Sequence, residues 1–191
     1  MRLIWKGAAA VVAGIVLGFA ATWLTVVRPG ALGGDVSDGP WQTDLLTGSP
    51  ASGIYTRAAV ALHGLLALNR NETIYYTAHT DSAGDSLRGD CTYEIAGSDP
   101  PARWWSITAY GADDFLIPNQ FDLYSVSKSS IGRHADGTFA VTVEKGASAA
   151  DQIAVGGGRF SLTLRLYDPA PSVAADPRHV ALPSIAKVSC P

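Results

Sequence analysis

Cysteine occurs twice, methionine once and histidine four times in 191 residues. No CxxC or HxxxH spacing joins them, so the sequence gives no basis for a metal site. Charged residues make up only 16%, and 14 Lys and Arg stand against 17 Asp and Glu for a net charge of −3. That balance holds no basic patch, and nucleic acid is not an expected partner. A Gly-rich phosphate loop and a GxSxG elbow are both missing, which removes the sequence support for dinucleotide-binding and hydrolase folds. Internal repeats are absent, no strand–helix–strand alternation is visible, and no cofactor is expected.

What the chain does have is one long run without charge, Gly7 to Val27, between Lys6 and Arg28. A helix of about 20 apolar residues crosses a hydrocarbon core of about 30 Å. Trp5 and Trp23 lie near the ends of the run, where aromatic rings favour the membrane–water interface. Arg2 and Lys6 precede it, while Arg28, Asp35, Asp38 and Asp44 follow. The positive-inside rule then keeps the N-terminus in the cytoplasm and exports the remainder through the inner membrane. A cleaved signal peptide is the alternative, with Gly18-Phe19-Ala20 as its small-x-small site. The run outlasts the usual 7–15 residue apolar core of such peptides, which favours an uncleaved anchor. Gly14 and Gly18, with Ala10 and Thr22, form a small-residue stripe suited to close packing of two copies.

The division expected is residues 1–28 as cytoplasmic end and membrane helix, 29–48 as linker, and 49–191 as the exported domain. Helical spacing of Ile54, Ala58, Ala61, Leu62, Leu65 and Leu68 predicts an amphipathic helix over about Gly53–Leu68. The period then falls to two. Strands are predicted at Thr73–His79, Cys91–Ile95, Arg103–Tyr110, Phe121–Ser127, Thr138–Val143 and Phe160–Tyr167, separated by Asp/Gly/Pro turns. Ile74, Tyr76, Ala78, Cys91, Tyr93, Ile95, Phe139, Val141 and Val143 are the expected inward residues, with Phe160 and the leucines of the last strand. Gly156–Gly158 precedes a strand and reads as a loop. The fold class is mainly β: an antiparallel sandwich after one amphipathic helix and one membrane helix. Cys91 and Cys190 both fall in the exported, oxidising side and are expected to bridge.

Several segments resemble a bacterial family of unknown function, numbered 1214. They are Glu72–Tyr76, Asp81–Asp90, Trp104–Tyr110 with Asp113–Asn119, Asp136–Thr138 and Gly158–Pro169. The resemblance implies a jelly-roll-like β-sandwich and a companion protein or domain of family 1254. It brings no reaction, so no catalytic residue is assigned. It also implies a Trp-Leu-Pro segment before the last strand, where this chain has Asp151–Gly156.

The leading candidate site is the polar face of two strands. Ser106, Thr108 and Tyr110 alternate away from the core, as do Thr163, Arg165 and Tyr167. If the strands are neighbours, Tyr110, Arg165 and Tyr167 line one face, where the Arg could hold a carboxylate or phosphate through paired N–H donors. The plain alternative is a solvated face with Arg165 paired to an acid. Trp104 and Trp105 point to opposite faces, so one is core and the other is free for a ligand or partner. Asp113-Asp114 reads as a turn more readily than as paired catalytic acids. Asp81, Asp85 and Asp90 lack the calcium-loop spacing. The four histidines, His63, His79, His134 and His179, show no ligand spacing. Ser106 is mid-strand, away from any nucleophile elbow. The functional expectation is a membrane-anchored periplasmic binding or assembly module of the cell envelope. The alternative is an envelope enzyme or accessory acting on a small anionic, sugar or lipid ligand.

Overall fold

The charge-free N-terminal run folds as helix α1 (Arg2–Thr22), which begins before the run and ends ahead of Trp23. Its Ile4–Thr22 stretch is long and apolar enough to cross a membrane. Its large side chains, among them Ile4, Val12, Leu17 and Phe19, are exposed. The computed structural model describes residues 2–24, 35–62 and 67–191. The predicted end of the run, 25–27, lies outside them, as do His63 and Leu65.

Among the described residues ten strands follow: β1 (Asp35–Asp38), β2 (Trp41–Asp44), β3 (Thr73–Ala78), β4 (Thr92–Gly97), β5 (Ala102–Gly111), β6 (Ser125–Ser127), β7 (Phe139–Glu144), β8 (Gln152–Ala154), β9 (Phe160–Pro169) and β10 (Ser184–Ser189). Helix α2 (Ile54–Leu62) separates β2 from β3, and the short α3 (Pro171–Ala175) separates β9 from β10. One sheet has the order β1-β2-β3-β9-β5-β6 and the other β10-β4-β7-β8. The pairs are antiparallel except β7 with β8, which is parallel. A jelly roll divides eight strands between two sheets; here ten divide six and four.

Alternation decides the core. Leu162, Leu164 and Leu166 of β9, with Trp105, Ile107 and Ala109 of β5, turn inward from the larger sheet. Tyr93, Ile95, Phe139, Val141 and Val143 meet them from the smaller one, in one continuous cluster. Rings couple the sheets: Trp105 lies 4.8 Å from Phe139, and Tyr93 lies edge-on 5.8 Å from Phe160. Full burial of each such side chain contributes about 1.5–3 kcal/mol. Two buried polar tips reach across the body. The Trp41 indole N–H donates to the Pro183 carbonyl at 2.7 Å, and the Tyr76 hydroxyl donates to the Pro177 carbonyl at 2.8 Å. Burial pushes the Tyr76 phenol well above its ordinary value of 10.0.

Three expectations are corrected. Part of the stretch read as linker, Asp35–Asp44, is a β-hairpin joined to the large sheet, and its Trp41 is core. Its two-residue turn is Gly39-Pro40, with Gly39 at a φ of 57°, a conformation that suits a tight hairpin. The strand predicted over Phe121–Ser127 is confined to Ser125–Ser127. The amphipathic helix predicted over about Gly53–Leu68 is α2, Ile54–Leu62, with residues 67–68 outside it; its apolar residues Ile54, Ala58, Ala61 and Leu62 are exposed, and α2 buries no residue. Cys91 and Cys190 are joined, at a sequence separation of 99. The Asp151–Gly156 departure holds β8, whose Ile153 and Ala154 are buried with the adjoining Val155.

Candidate functional site

β9 runs between β3 and β5, so its outward residues meet the outward residues of both neighbours. Arg165 stands opposite Tyr75 on one side and Ser106 on the other. Tyr167 stands opposite Trp104, and Thr163 opposite Thr77 and Thr108. Each of these is the direct consequence of a two-residue period on a central strand.

The guanidinium of Arg165 is the centre of this face. One amino group donates to the Tyr110 hydroxyl at 2.7 Å, and the other donates to the Thr108 hydroxyl at 3.2 Å. Its carbon lies 5.4 Å from the Tyr110 ring centre and 5.9 Å from that of Tyr75, within cation–π range. Ser106, Thr108, Ser161 and Thr163 form a buried hydroxyl floor between the larger side chains. Further along β9, the Trp104 and Tyr167 rings lie 5.2 Å apart, and the Trp104 indole donates to the Ser129 hydroxyl at 2.9 Å. No carboxylate among the described residues forms an ion pair with Arg165.

All four predicted site residues therefore share one face, as two linked pairs: Tyr110 with Arg165, and Trp104 with Tyr167. Trp105 is the core tryptophan, with its indole N–H on the Asp99 carboxylate at 3.0 Å. Sequence reading missed Tyr75. Its signal was present, because Ile74 and Tyr76 point inward and Tyr75 must point outward. What could not be read was that β3, rather than another strand, borders β9.

The other candidates disperse. Asp113 accepts the Phe115 N–H at 3.2 Å, a turn bond, and Asp114 adopts a φ of 63° in the same turn. Asp81 is buried and one of its oxygens accepts the N–H groups of Ala83 and Asp85, at 3.0 and 2.9 Å. Asp81 and Asp85 both face the Lys187 ammonium, at 3.6 and 2.5 Å, whereas Asp90 pairs with Arg88, so the three acids do not converge on one site. The hydrogen bond from Lys187 holds the Asp85 carboxyl below its ordinary 3.8. His79, His134 and His179 are exposed. Among the described residues no group of three or more His, Cys, Asp or Glu is placed to hold a metal ion. Ser106 lies beneath the Arg165 side of the sheet.

Such a face can grip an anion. A guanidinium donates in a planar fork that matches carboxylate and phosphate oxygens. Tyr110 and Tyr75 flank it, and Trp104 with Tyr167 offers an aromatic surface beside it. None of the groups bonded to Arg165 is a His, Asp or Glu that could take up a proton at neutral pH.

The sequence model of the family described as "Protein of unknown function (DUF1214)" matches residues 72–171. No curated protein matches the chain. Among solved structures, the VPA0106 protein of Vibrio parahaemolyticus is similar at a TM-score of 0.60 and 22% identity, over 71% of this chain and 35% of that one. An uncharacterized protein from Burkholderia cenocepacia is similar at a TM-score of 0.42 and 15% identity, over 61% of this chain and 29% of that one. The chain thus spans about a third of the length of these structures, and the first of them shares its fold.

Proposed function

The chain belongs to the DUF1214 family of proteins of unknown function, and from that premise we propose that it is a membrane-tethered, extracytoplasmic binding module that holds a small anionic ligand on the Arg165 face. The observation that carries the reading is a half-buried guanidinium held by two hydroxyls and two rings, with no carboxylate of the described residues paired to it. The other arginine on these two strands, Arg103 of β5, pairs with Asp168 of β9, and the loop residues Arg88, Arg133 and Arg178 each pair with an acid as well. Arg165 is left to an external anion. The lack of a proton acceptor on it supports binding over catalysis.

Tethering is supported by α1, by Arg2 and Lys6 in its N-terminal end, and by the bridge between Cys91 and Cys190, which suits an oxidising compartment. The aromatic pair Trp104 and Tyr167 suits a sugar ring attached to the anionic group, so an acidic saccharide is the ligand class.

Thermal-shift titration of the full chain in detergent micelles tests the site, with glucuronate, inorganic phosphate and uncharged glucose as probes. A ligand at a hundred times its Kd stabilises by about 2.7 kcal/mol. Glucuronate should raise Tm more than phosphate, and glucose should leave it unchanged. Arg165→Gln should weaken glucuronate at least about tenfold, a loss of about 1.4 kcal/mol. Equal shifts in wild type and Arg165→Gln, or no shift with either anion, would overturn the assignment.

A further inference from the structure

Helix α2 shows two apolar sides. Thr56, Ala59 and Val60 are half-buried on one side. Ile54, Ala58, Ala61 and Leu62 lie on the opposite side, with Ile54 77% and Leu62 63% exposed. Tyr55, at 53%, borders them. An amphipathic helix that buries nothing with its larger apolar side lacks its partner surface.

We infer that α2 lies in the headgroup region of the membrane that holds α1, with Ile54, Ala58 and Leu62 turned into the lipid. The inference rests on the tethered reading above. Three observations select lipid as the occupant. First, proximity is imposed by the chain: Leu24 at the end of the apolar segment and Asp35 at the start of β1 are eleven peptide steps apart, at most about 40 Å. Second, the charge is complementary. From Leu45 to Asn71 the chain carries no Asp or Glu, only Arg57, Arg70 and His63, although the whole protein is net negative. Anionic phospholipid attracts such a segment. Third, the composition suits an interface, with the exposed Tyr55 at the border of the apolar side. The other exposed apolar stretch, Phe115, Leu116 and Phe121, carries Asp113, Asp114 and Asp122 and would be repelled by the same surface.

The test uses the full chain in nanodiscs of phosphatidylethanolamine with phosphatidylglycerol. A ketone-bearing unnatural residue is placed at position 54, 58 or 62, at Val12 in α1, or at the exposed Ser98, and coupled to a nitroxide. This leaves the Cys91–Cys190 bridge intact. Collision with oxygen, which partitions into lipid, is compared with collision with a water-soluble nickel chelate. Labels at 54 and 62 should be oxygen-rich and severalfold less accessible to nickel than the label at Ser98. Nickel access equal to that at Ser98, with Val12 protected, would overturn the inference while leaving the anchor in place. Nickel access at Val12 itself would overturn the anchor and the inference together. Low collision with both reagents at 54 and 62 would also overturn it, because it would mean that protein covers the helix.

Discussion

Gly89 shows how a single residue sets the approach of two chain segments. Its N–H donates to the Gly158 carbonyl at 2.8 Å, and a Cβ built on it would lie 1.4 Å from the Gly156 carbonyl oxygen. The Gly156–Gly158 run, read from sequence as a loop, is the other half of that contact. Backbone cannot yield as a flexible side chain can, so Gly89→Ala should cost about 1–3 kcal/mol or more. Gly132 has open space around its Cβ position and no positive φ. Gly132→Ala should be neutral or stabilise by about 0.4–1 kcal/mol through the unfolded chain. Urea denaturation of the two variants checks the contrast, and equal midpoints would refute it. At this scale alternation made much legible: Arg165, Tyr110, Trp104 and Tyr167 were all placed correctly as outward residues. Tyr75 escaped because its role depends on the neighbour of β9, and a local period does not name neighbours.

Among the elements, β10 depends most on outside support. It is an edge strand, and Ile185 is its only buried residue. Its ties are the Ile185 N–H on the Ser82 hydroxyl at 2.9 Å, the Lys187–Asp85 pair, and the bridge from Cys190 to Cys91 beside β4. Closing a loop of this length removes unfolded-state entropy equivalent to about 4–5 kcal/mol. The paired Cys91→Ser, Cys190→Ser variant should lose stability up to that amount. Amide exchange should quicken in β10 well before it does in β9. Uniform exchange in both strands would show that the bridge does not guard β10 locally. β10 and β8 were missed in the sequence because each is short and shows too little alternation to register as a strand. The β1–β2 hairpin was missed because its Gly, Asp and Pro content resembles a linker. Its pairing with β3 makes it part of the large sheet, and the Trp41 contact with Pro183 ties it to the chain beside β10.

For the molecule as a whole, acid stability follows from its surface carboxylates. The Arg178 guanidinium holds the Asp176 carboxyl at about 2, against an ordinary 3.8. Asp85 is lowered by Lys187, Asp90 by Arg88 and Asp136 by Thr138. A carboxyl lowered in the folded state is protonated first in the unfolded chain. Its contribution is therefore complete above the unfolded value near 4 and is lost as pH falls through the folded value, which for Asp176 is about 2. The denaturant midpoint should be insensitive to these four groups from pH 7 to about 5 and should fall between about 4 and 2. Asp176→Asn should flatten part of that fall, and an unchanged acid limb in this variant would remove Asp176 from the account. Lys187 is raised by the hydrogen bond it donates to Asp85, so its share has the opposite sign and is lost as pH rises through its folded value, above 10.5.

The sequence by itself determined what local periodicity and composition can encode: the apolar N-terminal helix, six regions of alternation and their inward residues, and two cysteines with one possible bridge. Tertiary structure decided what depends on pairing across long separations. Arg165 and Tyr110 are 55 residues apart, and Trp41 and Pro183 are 142 apart. The direction of α2 belongs to the same class. Helical spacing shows that its apolar residues share a side, whereas the surface left free by the folded sheets determines whether that side is covered by the domain.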